Sequence, residues 1–392
     1  MNWSGISYLG MRYISRNRAK VSLLIAAFTL VWLLPLAIGV LVKTAESQLR
    51  ERASATPLLL GHAGSALELT FNGLYFTKPD VATIPFREFE AVEDSGLASA
   101  IPIYSRFTTE GHRIVGTSLE YFEFRNLKYS EGRPILRLGE CVVGAAVAEA
   151  GGVSPDDYLI SSPETLFDLA GVYPLKMKVC GVLAPSGTPD DRAVFVDPKT
   201  AWIIEGLGHG HVNANEATAE QRLSDDGDSV KLNASVVEYN EITPENVGGF
   251  HFHGDNGDNP LTAVIVLPDT PKNQAIIKGR YATDDQLQLI SPATEMDELF
   301  DTVFSVQRLI IWLLLAVGGA TLIIGGLVFV LSYRLRKDEF SHLRRLGADI
   351  ATLKALIAFE AGFVLLSSLI ISFGGLLMIK AVAPALVRLV LG

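Results

Sequence analysis

The chain has 392 residues, 49% of them hydrophobic and 19% charged, with a formal net charge of -10. A mean hydropathy of +0.30 is too high for an ordinary soluble enzyme, and the charge is too plentiful for a bundle lying wholly in lipid. A mixed protein with a membrane part and a water-exposed part is expected, and no nucleic-acid partner.

Residues 1–20 carry Arg12, Arg16, Arg18 and Lys20 and predict a cytoplasmic amphipathic helix. Residues 21–42, 309–333 and 355–379 are nearly free of charge, and each is long enough to cross about 30 Å of hydrocarbon as helix. The first run exceeds the roughly 7–15 apolar residues of a signal peptide, and the triplet Ala53-Ser54-Ala55 lies too far beyond it to serve as a cleavage site. Three transmembrane helices are predicted. The basic residues before the first span, and Arg334, Arg336, Lys337, Arg344, Arg345 and Lys354 between the second and third, place those segments in the cytoplasm. The long segment between the first two spans is then outside, with the amino terminus inside and the carboxyl terminus outside.

Residues 43–308 read as a mixed α/β (α+β) extracytoplasmic domain. Short β-rich runs at Arg113–Thr117, Lys176–Leu183, Ala193–Asp197 and Thr262–Pro268 are bounded by Gly, Pro and Asp turn signals. Helical segments are expected at residues 85–94 and 163–169. About 206–260 the chain turns polar and rich in Asn, Asp and Gly, which predicts a long insertion. Cys141 and Cys180 both fall in this domain, where a disulfide is permitted and a pair of buried free thiols is the alternative. The turn Pro185–Arg192 is expected to form a local salt-bridged corner of Asp190, Asp191 and Arg192 rather than a catalytic set.

Four of the seven histidines form two pairs, His209 with His211 and His251 with His253, at the two ends of the polar insertion. Residues two apart on an extended strand point to one side, so each pair offers two imidazoles to one metal, and imidazole suits zinc or copper. Four imidazoles, or three with a carboxylate such as Asp255 or Glu216, would satisfy tetrahedral zinc. Solvated loop histidines are the alternative.

Residues 334–354 are basic and regularly spaced. Phe340, Leu343, Leu346, Ile350 and Leu353 recur at three- and four-residue steps, giving a helix an apolar stripe, with Gly347 interrupting it and Asp349 placed to cap the third span. An amphipathic helix on anionic lipid and a docking element for a cytoplasmic partner both fit that pattern. Glu360, about one turn inside the third span, is expensive to bury and is expected to snorkel or to pair with a basic residue of the first helix, a proton or substrate role being the alternative. Residues 380–392, with Pro384 and Arg388, read as a short interfacial helix. No phosphate-binding G-x-x-x-x-G-K-[ST] pattern occurs, and no catalytic constellation is legible by spacing, so the chain is not read as an enzyme. A membrane-anchored periplasmic metal sensor or enzyme, needing no ATPase, is the competing class.

The order E-F-x-x-L-R-R-L-G-A, formed by Glu339, Phe340, Leu343, Arg344, Leu346, Gly347 and Ala348 and followed by Glu360-Ala361, resembles the cytoplasmic loop of MacB/FtsX-type ABC transporter permeases. The stretch YLGMRYISRNRAKVSLLI at residues 8–25 is similar to that family's basic lead into its first span. RIVGTSLEYF, EGRP, VVGAAVA and VCGVLAPSGTPDDRAVFVD are similar to its extracytoplasmic domain. The resemblance implies a coupling helix over Glu339 to Gly347 that docks on a separate ABC ATPase subunit carrying the ATP, a second permease copy, and a bacterial inner-membrane location. It also implies a periplasmic domain to which ATP-driven change is transmitted, either to move cargo across the bilayer or, by mechanotransmission, to work an outer partner. It also implies an association with periplasmic metal-binding proteins or lipoproteins, hence zinc homeostasis. Members usually have a fourth span, whereas the 37 residues from Leu356 to Gly392 cannot hold two spans and a turn.

Overall fold

The computed structural model describes residues 3–78, 81–162, 174–210, 222–225, 230–232, 240–252 and 254–391. The expected helix at 163–169 and most of the polar insertion lie outside these residues. The chain divides into two compact units, one formed by residues 1–47 with 300–391 and the other by 48–299.

The first unit is helical. A short helix α1 (Trp3–Arg16) precedes α2 (Arg18–Ser54), and the chain returns through α8 (Pro292–Leu335), α9 (Lys337–Arg345) and α10 (Ile350–Leu391). α2, α8 and α10 are, among the described residues, the three helices long and apolar enough to cross a membrane. Trp312, Leu313, Ile323 and Ile370 are each more than 60% exposed on them. Such a surface is untenable in water and is what hydrocarbon requires. All three run past the apolar stretches that mark them in the sequence. α2 continues to Ser54 and α8 begins at Pro292, because the flanking polar segments contain good helix formers and nothing that stops a helix. Residues 380–391 do not form a separate interfacial helix; they extend α10, through Pro384.

Small residues set the packing of this unit. α1 lies against α10 where Gly10 meets the ring of Phe359, with no space for a Cβ. Gly325 on α8 accommodates Phe28, and Gly375 on α10 accommodates Leu33. Val21, Leu24, Phe28 and Val364 form one buried cluster, and Ile6, Phe340 and Leu356 another. The Ser372 hydroxyl lies within hydrogen-bond reach of the Ser368 carbonyl at 2.7 Å and the Thr29 carbonyl at 3.2 Å.

The second unit is built on an eleven-stranded mixed sheet. Its strands include β1 (Leu58–His62), β2 (Ala98–Tyr104), β3 (His112–Thr117), β4 (Tyr129–Gly132), β5 (Glu140–Val143), β6 (Tyr158–Ile160), β7 (Lys176–Leu183) and β8 (Ala193–Val196). A two-stranded ribbon, β9 (Gly208–Gly210) with β10 (Phe250–Phe252), follows; β11 (Ala263–Pro268), β12 (Leu287–Ile290) and the short strand Thr108–Thr109 paired with β3 complete the main sheet. The order is β12-β1-β11-β2-β3-β8-β5-β7-β4, with β6 also on β7. The β3–β8 and β5–β7 pairs are parallel, and the other pairs in that order are antiparallel.

Central strands are buried on both faces, which explains why they read as apolar runs rather than as alternating patterns. Leu58, Leu59 and Leu60, and Val194, Phe195 and Val196, are fully buried. Helices α3 (Ala66–Tyr75), α4 (Arg87–Asp94), α5 (Ala145–Gly151), α6 (Pro198–Glu205) and α7 (Pro271–Tyr281) accompany the sheet. α6 starts where the Asp197 side chain accepts the Lys199 N–H, with Pro198 in its first turn. It presents Trp202 to the core, where Phe86 meets the indole edge to face at 5.1 Å.

Cys141 and Cys180 are both free thiols, so the disulfide permitted by compartment is not formed. A bulge in the β5–β7 pairing lets the Cys180 thiol donate to the Cys141 carbonyl at 3.3 Å. Burial raises both thiols, Cys180 to about 11. Neither is a ready nucleophile.

The corner at Pro189–Arg192 departs from the expected local salt bridge. Asp191 does serve the turn, accepting N–H bonds from Ser186 and Gly187 at 2.8 and 2.7 Å. Asp190 instead turns inward to Arg52, at the end of α2, with two bonds of 2.6 and 2.9 Å. The Tyr121 hydroxyl donates to the same carboxylate at 2.6 Å and accepts from Arg52 at 2.7 Å. The Arg52 guanidinium also donates to the Leu74 carbonyl and lies over the Phe76 ring at 5.7 Å. Arg52, Tyr121 and Asp190 are all buried.

Candidate coupling site and histidine ribbon

α9 is held by the helices around it. The Phe340 ring lies against Tyr333 at 5.4 Å and is only 5% exposed, packed with Ile6 and Leu356. Leu343 is half-buried against the same cluster. Phe340 therefore anchors α9 to its own unit and does not face outward, and with Leu343 it supplies the apolar contacts of α9 to Ile6 of α1 and Leu356 of α10. Leu346, by contrast, is 84% exposed, beside the exposed Arg344 and Arg345. Gly347 has φ of +95°, a left-handed conformation that lets the chain leave α9 directly after Leu346. Ala348 is half-buried, and the Asp349 side chain accepts the Ile350 N–H at 2.7 Å where α10 begins.

Glu360 is buried and pairs with Arg336 at 2.8 Å. That partner belongs to the α8–α9 junction rather than to the first helix, as the sequence had suggested. Arg336 also bonds Glu339 at 3.1 Å, and its guanidinium lies 3.6 Å from the Tyr13 ring centroid and 4.8 Å from that of Phe340. Beside it, Lys20 donates to the Ser332 hydroxyl at 2.6 Å, and the Tyr13 and Ser332 hydroxyls are 2.9 Å apart. One polar cluster thus ties α1, the end of α8, α9 and α10 together. Glu360 was the only sequence signal for it: a carboxylate inside a span requires a cation, but three nearby basic residues, Arg334, Arg336 and Lys337, were equally eligible.

In the outer unit the two histidine segments do meet. β9 and β10 pair antiparallel, with Gly208 opposite Phe252, His209 opposite His251 and Gly210 opposite Phe250. The two imidazole centroids are 4.7 Å apart at 68°. His211 and His253 lie outside the described residues, as does Glu216. Among the described residues, no group of three or more His, Cys, Asp or Glu side chains is positioned to hold a metal ion.

Residues 35–229 match the family described as the MacB-like periplasmic core domain. That match, covering 195 of the 392 residues, supports a MacB/FtsX-type permease family for the chain. The periplasmic region of MacB from Actinobacillus actinomycetemcomitans is similar at 10% identity, with 64% of this chain and 93% of that chain covered and a TM-score of 0.33. The extracellular domain of the noncanonic ABC-type transporter YknZ from Gram-positive bacteria is similar at 13% identity, over 59% of this chain and 98% of that chain, with a TM-score of 0.31. No curated protein matches the chain.

Proposed function

We propose that this chain is the membrane subunit of an ABC complex in which two copies work with two separate ATPase subunits, α9 being the element on which the ATPase acts. The observation that carries the reading is the division of labour on α9. Its inward residue Phe340 is buried and Arg336, just before it, is ion-paired to α10, while Leu346 stands exposed beside two arginines at its other end. A helix fixed to two spans and presenting a projecting leucine is suited to pass a push from a bound partner into those spans. In this reading Glu339, Leu343, Arg344, Gly347 and Ala348 shape the docking surface, and the partner holds ATP, since this chain lacks a phosphate-binding loop. The basic loop faces the cytoplasm, and the domain of residues 48–299 lies across the inner membrane from it.

The test is co-purification from native membranes. The wild-type protein is expected to bring down an ATP-binding subunit, and Leu346→Asp is expected to lose it while remaining in the membrane at normal yield. A carboxylate pressed into an apolar interface without a partner costs several kcal/mol, and Leu346 is too exposed for the change to disturb folding. Undiminished recovery of the ATPase with Leu346→Asp would remove α9 from the docking role.

A further inference from the structure

We propose that His209 and His251 together form a two-imidazole site for a divalent cation of the copper–zinc class on the β9–β10 ribbon. The register places the two residues directly opposite one another, and their rings sit 4.7 Å apart. That separation is within reach of a single ion whose bonds to imidazole nitrogen are about 2.0–2.1 Å each. Water completes the coordination.

The sequence of the ribbon holds this register. Gly-His-Gly runs against Phe-His-Phe, and the rings of Phe252 and Phe250 lie across Gly208 and Gly210, where a Cβ on either glycine would collide with the facing ring. Both phenylalanines pack against the core, and Phe252 meets the Trp202 indole edge to face at 6.4 Å. Slipping the ribbon by one residue would drive an imidazole into the place of a core aromatic. Since successive side chains alternate, the face opposite the phenylalanines is the one that carries His209 and His251, and both are half-buried there.

One hydrogen bond prepares the second ring. His251 Nδ1 lies 3.3 Å from the Gly249 carbonyl, which can only accept, so Nδ1 carries the proton and Nε2 carries the lone pair of the neutral ring. A backbone carbonyl that fixes the tautomer in this way is the usual outer partner of a metal-ligating histidine.

The experiment uses the full-length protein in detergent, loaded with Cu2+ and read by pulsed electron paramagnetic resonance, which counts coordinated imidazoles, with Zn2+ competition giving relative affinity. Two imidazoles are expected in the wild type. His209→Asn and His251→Asn should each remove one and weaken binding by at least about tenfold. Asn keeps the polarity and much of the bulk of the site, and Trp202 emission reports that the domain remains folded. His62→Ala, an exposed histidine on β1, should change nothing. The proposal is overturned by an unchanged two-imidazole signal in the His209→Asn/His251→Asn double variant, by loss of the signal only in His211→Ala/His253→Ala, or by no saturable Cu2+ or Zn2+ binding in the wild type.

Discussion

Replacing Asp190 by Ala is expected to destabilise the outer unit by about 3–5 kcal/mol, the cost of leaving a buried cation without its counter-ion. The Arg52 side chain is 5% exposed and that of Asp190 1%, so water cannot compensate either charge. The change also strips the Tyr121 hydroxyl of its acceptor and Arg52 of two hydrogen bonds. Urea unfolding followed by Trp202 emission reads the effect, since the other three tryptophans, Trp3, Trp32 and Trp312, lie in the helical unit. An unfolding midpoint equal to that of the wild type would mean that the pair contributes nothing. The pH dependence has a defined sign. Burial alone would raise the Asp190 carboxyl, but the Arg52 guanidinium and the hydrogen bonds from Arg52, Tyr121 and Thr188 hold it below the usual carboxylate range. Its stabilisation is therefore fully present above the unfolded value of about 3.9 and is lost only as pH falls through the lower folded value. Acidification from pH 7 to 5 should leave this contribution intact, whereas the wild type should lose its advantage over Asp190→Asn below about pH 4.

Glu360→Ala has the second large expected effect. It leaves the guanidinium of Arg336, 13% exposed, without its buried partner, and the loss should approach about 3 kcal/mol, the lower end for a broken buried pair. The thermal midpoint of the detergent-solubilised protein should fall accordingly. Arg336→Leu combined with Glu360→Leu should recover much of that loss, because well-packed apolar residues commonly replace a buried pair without penalty. The recovery is the informative part, since additive losses in the double variant would show that the two residues stabilise the protein independently and that α9 is not tied to α10 through them.

Both networks bear on how much was legible in the sequence. The strand at Ala193–Val196 stands out because a strand covered on both faces must be apolar throughout, Lys176–Leu183 because its β-rich run is apolar after the half-buried lysines at its start, and the spans because lipid demands an unbroken apolar stretch. Arg52 and Asp190 do not, being 138 residues apart, with nothing local in either segment that names its partner. The apolar stripe of α9 was legible as a stripe, yet periodicity cannot tell which of its members faces inward. Phe340 is buried by Ile6 and Leu356, whose proximity only the helix packing creates. The ends of α2 and α8 were missed because hydropathy marks where a span leaves lipid, not where its helix stops. For the histidines, the spacing announced two pairs, while the β9–β10 register singled out His209 and His251 as facing each other.

The proposed coupling role requires α9 to be the surface that meets the ATPase. A photo-crosslinking amino acid placed at Leu346, which is 84% exposed, probes that surface directly in intact cells. The expected product is an adduct with a polypeptide containing a nucleotide-binding loop, absent when the same probe replaces the buried Phe340. An adduct with lipid alone, or with no ATP-binding protein, would contradict the account and leave α9 as a helix lying on the membrane surface.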